Sequence, residues 1–338
     1  MHDHVRLYLS KYQEILCCPR CRSSLTIGEC DIACSSCGGR FGVEDDIPLL
    51  FWPSEWDASK ERVAEQVRRF YEETPFPDYD EFDSVGSLME KARRGLFAHL
   101  LDEQVPLGSR VLECGCGTAQ LSIFLGIAPR TVFGTDVCVN SLRLGQEFKE
   151  RHRLSGVHLL QMNLFRPVFR PGSFDLVICN GVLHHTPDPL LGLKTIASLA
   201  RPGGYVLVGL YHRFGRVITS ARGMLFRLFG QRLAFLDPNL RAPRTSAAKR
   251  RAWFNDQYRH PHESRHTIGE VLSWLPHAGL RFVKSIPRTV PFVGFSESEQ
   301  LFSDEAPGTR LERLVVELGM AFSGSRQGGF FVVVARRP

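Results

Sequence analysis

The sequence predicts an α/β fold: an open, mostly parallel sheet preceded by a small cysteine ribbon. Three observations carry that reading. Arg110–Gln120, RVLECGCGTAQ, passes from an apolar pair through an acid, Glu113, into Gly115 and Gly117, and then into the apolar segment Leu121–Leu125. That is strand, tight turn and helix, with glycine where the turn needs unusual dihedrals and bare backbone. About twenty residues further on, at the spacing of a nucleotide-binding turn, Thr131–Gly134 leads into Asp136, an acid at a strand end. Near the start, Cys18 and Cys21 form one CxxC pair, and Cys34 and Cys37 form another.

The length, 338 residues, suits one large domain plus a small one. No apolar run approaches a membrane span. The opening MHDHVRLYLSKYQE lacks the apolar core of a signal peptide. Ten cysteines, several placed singly in expected strands and turns, point to a reducing compartment, so a cytoplasmic protein is expected. The net charge of +6 is uneven: residues 211–260 hold eleven Arg or Lys against Asp237 and Asp256, leaving −3 for the rest. A surface that coats nucleic acid everywhere is therefore not indicated.

In chain order, the CxxC pairs come first. Two such knuckles, twelve residues apart, bind tetrahedral zinc as four thiolates in a closed structural site, so Cys18, Cys21, Cys34 and Cys37 are the expected ligands. Cys17 and Cys30 are spare. Residues 51–60 read as a linker. Glu61–Glu73 has helical periodicity, with Val63, Val67 and Phe70 on one face. Pro75 and Pro77 break it, and Phe76, Tyr79 and Phe82 are available to cover a pocket. A second helix is expected over Ser87–Leu101. Val157–Leu160 and Asp175–Cys179 read as the third and fourth strands. Asn180, His184 and His185 then lie outside the carboxyl end of the fourth, where open α/β sheets bind ligands. A helix follows within Pro187–Leu199.

Beyond Tyr211, Arg213–Leu236 is basic and amphipathic. Three readings compete: a lid over an acceptor pocket, a helix on an anionic membrane surface, or an RNA-phosphate contact. The lid comes first. Thr267 and Glu270 make a capping box for a helix through Leu275, and Leu311–Phe322 forms another. His260, His262 and His266 lie near Asp256 and Glu263, but their spacing matches no familiar closed metal site.

Jointly these blocks resemble the class I S-adenosylmethionine-dependent methyltransferases. The carrying residues are Glu113-Cys114-Gly115-Cys116-Gly117-Thr118, Asp136 in GTDVCVNSL, FDLVICNGVLHHTPDP from Phe174 to Pro189, and Arg201-Pro202-Gly203-Gly204 before YVLVGLY. The resemblance spans residues 105–211. It implies a Rossmann-like sheet of seven strands with the last antiparallel, Arg281–Ile286 being the sixth and Phe330–Ala335 the seventh. It also implies S-adenosylmethionine as cofactor. Glu113, Gly115, Cys116 and Gly117 would face its methionine moiety, Asp136 its ribose, Val137 its adenine, Asn163 and Leu164 the adenine edge, and Asn180 the methyl end. Two positions depart from the family pattern: Ala119 replaces the third motif glycine, and Asn163 stands where an acid often holds the adenine amino group. The ribbon, with its IPLL ending at Ile47–Leu50, resembles the Trm112-like zinc-ribbon family. That implies a supporting or substrate-presenting role in cis.

The expected organisation is a zinc ribbon over 1–55, a helical linker or cap over 56–105, and a methyltransferase domain over 106–338 with 211–264 as a basic lid. The expected activity is methyl transfer to a small-molecule metabolite, on oxygen or nitrogen before carbon. His184, Asp256, Tyr258 and His260 are the candidate catalytic groups, because a histidine near neutral pKa suits proton removal from a hydroxyl. The alternatives are methylation of RNA or a translation protein, and a non-catalytic cofactor-binding partner.

Overall fold

The structure, a computed structural model, describes residues 3–29, 31–77, 79, 83–241, 246–323 and 329–338. Cys30 and Phe82 of the sequence reading lie outside them. The chain opens with a helix the sequence reading did not foresee, α1 (Asp3–Lys11), which buries Val5 and Leu9. Five two-residue strands follow: β1 (Thr26–Ile27), β2 (Ile32–Ala33), β3 (Arg40–Phe41), β4 (Val43–Glu44) and β5 (Ile47–Pro48). The first three form one antiparallel sheet and the last two another. A unit this small cannot close a core of its own, and it does not. Leu9, Leu25, Ile32, Phe41 and Leu50 share one buried cluster with Phe133, Phe169 and Phe174 of the large sheet and its flank. The seam is also hydrogen-bonded. Cys17 N donates to Val168 O at 2.7 Å, Leu50 N to Gln161 O at 3.1 Å, and the Arg22 guanidinium to the Phe169 carbonyl at 2.8 Å.

Next comes α2 (Ala58–Glu73). It starts three residues before the predicted Glu61 because Asp57 caps it, accepting from the amides of Ser59 and Lys60. The helix expected over Ser87–Leu101 is two helices, α3 (Val85–Arg94) and α4 (Leu96–Gln104), parted at Gly95 with φ −92° and ψ 78°. Glycine is a weak helix former and gives way there.

The large sheet holds seven strands: β6 (Arg110–Cys114), β7 (Thr131–Asp136), β8 (Val157–Gln161), β9 (Phe174–Asn180), β10 (Ala200–Tyr211), β11 (Arg281–Ile286) and β12 (Phe330–Arg336). Their spatial order is β11-β12-β10-β9-β6-β7-β8. The central pairs are parallel, and β12 runs antiparallel to both β10 and β11. The seven-stranded sheet with its last strand reversed is thus observed. Helices cover both faces, which is why the inner strands read as unbroken apolar runs. The order reverses between β6 and β9, so a crevice opens at their carboxyl ends. The flanking helices are α5 (Gln120–Leu125), α6 (Val139–Arg151) and α7 (Pro189–Leu199). After β10 come α8 (Val217–Phe229), a 3-10 stretch over Gly230–Leu236, and α9 (Ala247–Tyr258). Then come α10 (Ile268–Trp274), capped by Thr267 and Glu270 as the sequence predicts, and α11 (Arg310–Ser323).

Candidate active site

One cavity of about 990 Å³ lies at the carboxyl ends of the central strands. Glu113, Gly115, Cys116, Gly117, Asp136, Val137, Asn163, Leu164 and Asn180 all line it. The glycine turn explains its own composition. Gly115 and Gly117 have φ +73° and +54°, and a Cβ on Gly115 would lie 2.4 Å from a Val182 methyl. A Cβ on Gly117 would lie 2.3 Å from the Phe76 carbonyl. So the connector before α3 rests directly on the turn. Ala119 also sits in the left-handed region, at φ 62°. A glycine would be less strained there, and the chain keeps alanine in a fully buried seat.

Asp136 organises the turn. One of its carboxylate oxygens accepts from Gly117 N at 2.8 Å and the other from Cys138 N at 2.9 Å. Burial nonetheless pushes its pKa upward. Glu113 is buried and accepts from the Ser122 hydroxyl; desolvation lifts its pKa to about 7. Asn163 does more than line an edge. Its amide nitrogen donates to Trp52 O at 2.9 Å and Ser54 Oγ at 3.0 Å, while its Oδ1 accepts from Phe165 N at 3.0 Å. It therefore ties the segment leaving the ribbon to the cavity wall, and its carbonyl keeps only one lone pair for a ligand. Asn180 Oδ1 is buried at the cavity and has no hydrogen-bond partner.

The polar groups opposite the turn come from α2, β10 and α9. Asp256 is buried, accepts from the Tyr71 hydroxyl at 2.9 Å and the Gln257 amide at 2.8 Å, and has its pKa pushed up to about 6 by burial. Gln257 also donates to the Tyr211 hydroxyl at 2.7 Å. The Arg216 guanidinium donates to Gln257 Oε1 at 2.6 Å and lies 3.9 Å from the Tyr211 ring centroid. Tyr71, Tyr211, Asp256 and Gln257 all face the cavity.

The other catalytic candidates are placed differently. Among His184, Asp256, Tyr258 and His260, only Asp256 lines the cavity. His184 is fully buried against Tyr211 and His185, each ring 4.1 Å away, and neither of its nitrogens has a hydrogen-bond partner. His260 stacks behind His185 at 3.6 Å. Tyr258 turns to Asp237, to which its hydroxyl donates at 2.8 Å. The expectation of a near-neutral histidine also fails on electrostatics. Burial drives His185 down to about 3, His260 to about 2, and His184 well below its usual value. Of the expected lid, Tyr211, Trp253, Asp256 and Gln257 reach the cavity, and among the described side chains of 213–236 none does.

At the ribbon, the thiols of Cys18, Cys21, Cys34 and Cys37 all lie within 4.8 Å of one another. Cys18 and Cys37 are 3.7 Å apart, and Cys21 and Cys34 are 3.4 Å apart. A zinc–sulfur bond of about 2.3 Å implies thiolate spacings of about 3.8 Å in a tetrahedron. This is the one convergent group of potential metal ligands among the described residues. His260, His262 and His266 do not converge: His262 lends its carbonyl to His185, and His266 pairs with Glu270 at 2.9 Å.

Residues 112–208 match a family described as "Methyltransferase domain". Residues 112–208 are thus similar to a methyltransferase domain, and they lie in a sheet with the strand order expected of the class I methyltransferase fold. Among relatives, a Synechococcus protein without an assigned function is 26% identical over 279 residues, covering 75% of this chain and 64% of its own length. The ubiquinone biosynthesis O-methyltransferase of Bordetella pertussis is 32% identical over 130 residues, covering 36% of this chain and 48% of its own. The demethylmenaquinone methyltransferase of a Geobacillus species is 27% identical over 203 residues, covering 55% of this chain and 83% of its own. The first two matches thus span about two thirds and half of the relatives' lengths.

The residues of the methyltransferase domain fit S-adenosylmethionine. The turn presents bare backbone, Asp136 keeps free lone pairs after its two backbone contacts, and Asn180 offers an unpartnered buried acceptor. The sequence reading missed Tyr71, Gln257 and Tyr211 as wall residues. Tyr71 sits in a helix read only for its apolar face, and no local pattern marks a side chain that reaches a partner 185 residues away.

Proposed function

We propose that the protein is an S-adenosylmethionine-dependent methyltransferase acting on a small molecule with a largely apolar body and a hydroxyl or amine as the reacting group. One observation carries this reading. The cavity that holds the nine cofactor-side residues continues without a break to Asp256, and its remaining wall carries eleven Phe, Tyr and Trp side chains, among them Trp56, Phe76, Phe97, Trp253, Phe295 and Phe330. A cavity of this size with many aromatic side chains and a few converging polar groups suits a small ligand. A nucleic acid would call for an open basic groove. The Bordetella and Geobacillus relatives are named for ubiquinone biosynthesis and for demethylmenaquinone, which is compatible with such an acceptor.

When bound, the cofactor supplies a methyl group on a sulfonium, open to in-line displacement. Gly115 and Gly117 would admit its methionine end, Asp136 its ribose hydroxyls, and Val137 and Leu164 its adenine, with Asn163 at the edge. Asn180 Oδ1 would accept from an N–H donor at the methyl end. Enclosure by Phe76 and Trp253 excludes water and fixes the approach. Asp256 is the group suited to take a proton from an acceptor hydroxyl, with Tyr71 and Gln257 holding its carboxylate. His185 belongs to this wall, and His184 and His260 pack behind it. The proposed division keeps the ribbon at 1–55, the cap at 56–105 and the methyltransferase domain at 106–338, with α9 as the lid part of 211–264. The four cysteines would hold one structural zinc. The test is product formation: the protein should turn over the methyl donor with phenolic or amine acceptors of apolar body, and Asp256→Asn should slow phenol methylation by about 100-fold or more while donor affinity holds.

A further inference from the structure

Helix α8 is turned inside out. Its buried residues are Thr219 and Phe226, while Val217, Met224, Leu225, Leu228 and Phe229 are exposed, Met224 and Leu228 by 65% and 66%. Positions 217, 221, 224, 225 and 228 recur at helical spacing, so the exposed apolar residues form one stripe. Phe235, in the 3-10 stretch that follows, is exposed as well. Monomeric proteins rarely leave such a stripe in water without a use. It covers no part of the cavity, so the lid role does not account for it.

We propose that this face docks on an anionic lipid bilayer surface. Charge decides between occupants. From Arg213 to Leu236 the chain has five arginines and no acid, and Arg227 and Arg232 are exposed beside the stripe. An apolar face flanked by arginine alone matches anionic headgroups above acyl chains. A second copy meeting this face about a two-fold axis would set like charges against each other. Helix α11 makes the contrast. It also exposes an apolar stripe, with Leu314, Leu318 and Phe322, but its two arginines are balanced by two glutamates.

The placement gives docking a consequence. Phe226 packs on Phe254 and Tyr258 of α9, with ring centroids 5.5 and 4.7 Å apart. Helix α9 carries Trp253, Asp256 and Gln257 into the cavity. A bilayer under α8 therefore lies next to the wall through which an apolar acceptor would enter. Docking itself does not depend on which molecule is methylated.

Flotation of the full chain with vesicles tests this. The chain should float with vesicles of equimolar phosphatidylcholine and phosphatidylglycerol, and stay behind with phosphatidylcholine alone. Leu228→Glu with Phe229→Glu, and separately Arg227→Glu with Arg232→Glu, should each weaken binding at least about tenfold with unchanged S-adenosylhomocysteine affinity. Leu314→Glu with Leu318→Glu in α11 should leave it intact. No flotation of the wild type, or flotation that survives both α8 pairs, overturns the proposal. So does a dimer by light scattering that the Leu228/Phe229 pair abolishes, which would make the stripe a protein interface.

Discussion

Replacing Asp136 by alanine should strike the cofactor site at its hub. Its carboxylate bridges two backbone amides, Gly117 at 2.8 Å and Cys138 at 2.9 Å. It thereby links the turn after β6 to the start of α6, and its spare lone pairs face the cavity. Charge-assisted hydrogen bonds are worth about 1.5–3 kcal/mol each. Loss of the ribose contact alone should then weaken S-adenosylhomocysteine binding about 10- to 150-fold. The turn also loses its anchor, and two amides lose an acceptor, so the melting temperature should fall as well. Titration calorimetry and thermal unfolding separate the two effects: excess ligand should recover part of the lost melting temperature, because weakened binding is still binding. A folded variant with wild-type affinity would refute the reasoning and place the cofactor elsewhere.

Purified protein should carry about one zinc per chain, and Cys34→Ser should lower that content. Because the ribbon shares the sheet's core through Leu25, Phe41 and Leu50, the same variant should also lower the melting temperature of the whole chain; zinc-free wild type with an unchanged melting curve would contradict this. Turnover with a hydroxyl acceptor should rise with pH through about 6, the value to which burial lifts Asp256, because the base form appears as pH increases. Asp256→Asn should remove that limb along with most of the rate. For stability the sign is opposite: the folded form holds this proton more tightly than the unfolded one, so the contribution of Asp256 declines as pH rises towards 6. Tyr258→Phe, which breaks a bond to Asp237 away from the cavity, should leave turnover intact and reduce stability, as measured by kinetics and melting of one preparation.

The cofactor half of the site was legible because local rules write it. A strand, two glycines and an acid about twenty residues on must fall together once the strands are parallel neighbours, and β6 and β7 are. The ribbon's four cysteines were legible for the same reason, since each knuckle is a local turn. The opposite wall was legible only in part: Asp256 was named from the sequence, but its partner Tyr71 was not, because the two meet only in the folded chain and the helix of Tyr71 showed only its apolar face. Histidine chemistry misled the reading because sequence shows residue type without burial. His184 and His260 look like bases in the string and are desolvated packing groups in the fold. Helix α8 was read correctly as basic and amphipathic, but its direction was invisible: the periodicity of a stripe does not say whether it faces the core or the solvent.

The central claim is methyl transfer to a small apolar-bodied molecule. Its most direct measurement is incorporation of labelled methyl from S-adenosylmethionine into fractionated cell extract, with Asp136→Ala as the blank. Label should appear in the organic-solvent extract of small molecules, dependent on Asp136 and reduced in Asp256→Asn. Label confined to RNA or protein, or no label from a protein that binds S-adenosylhomocysteine, would contradict it.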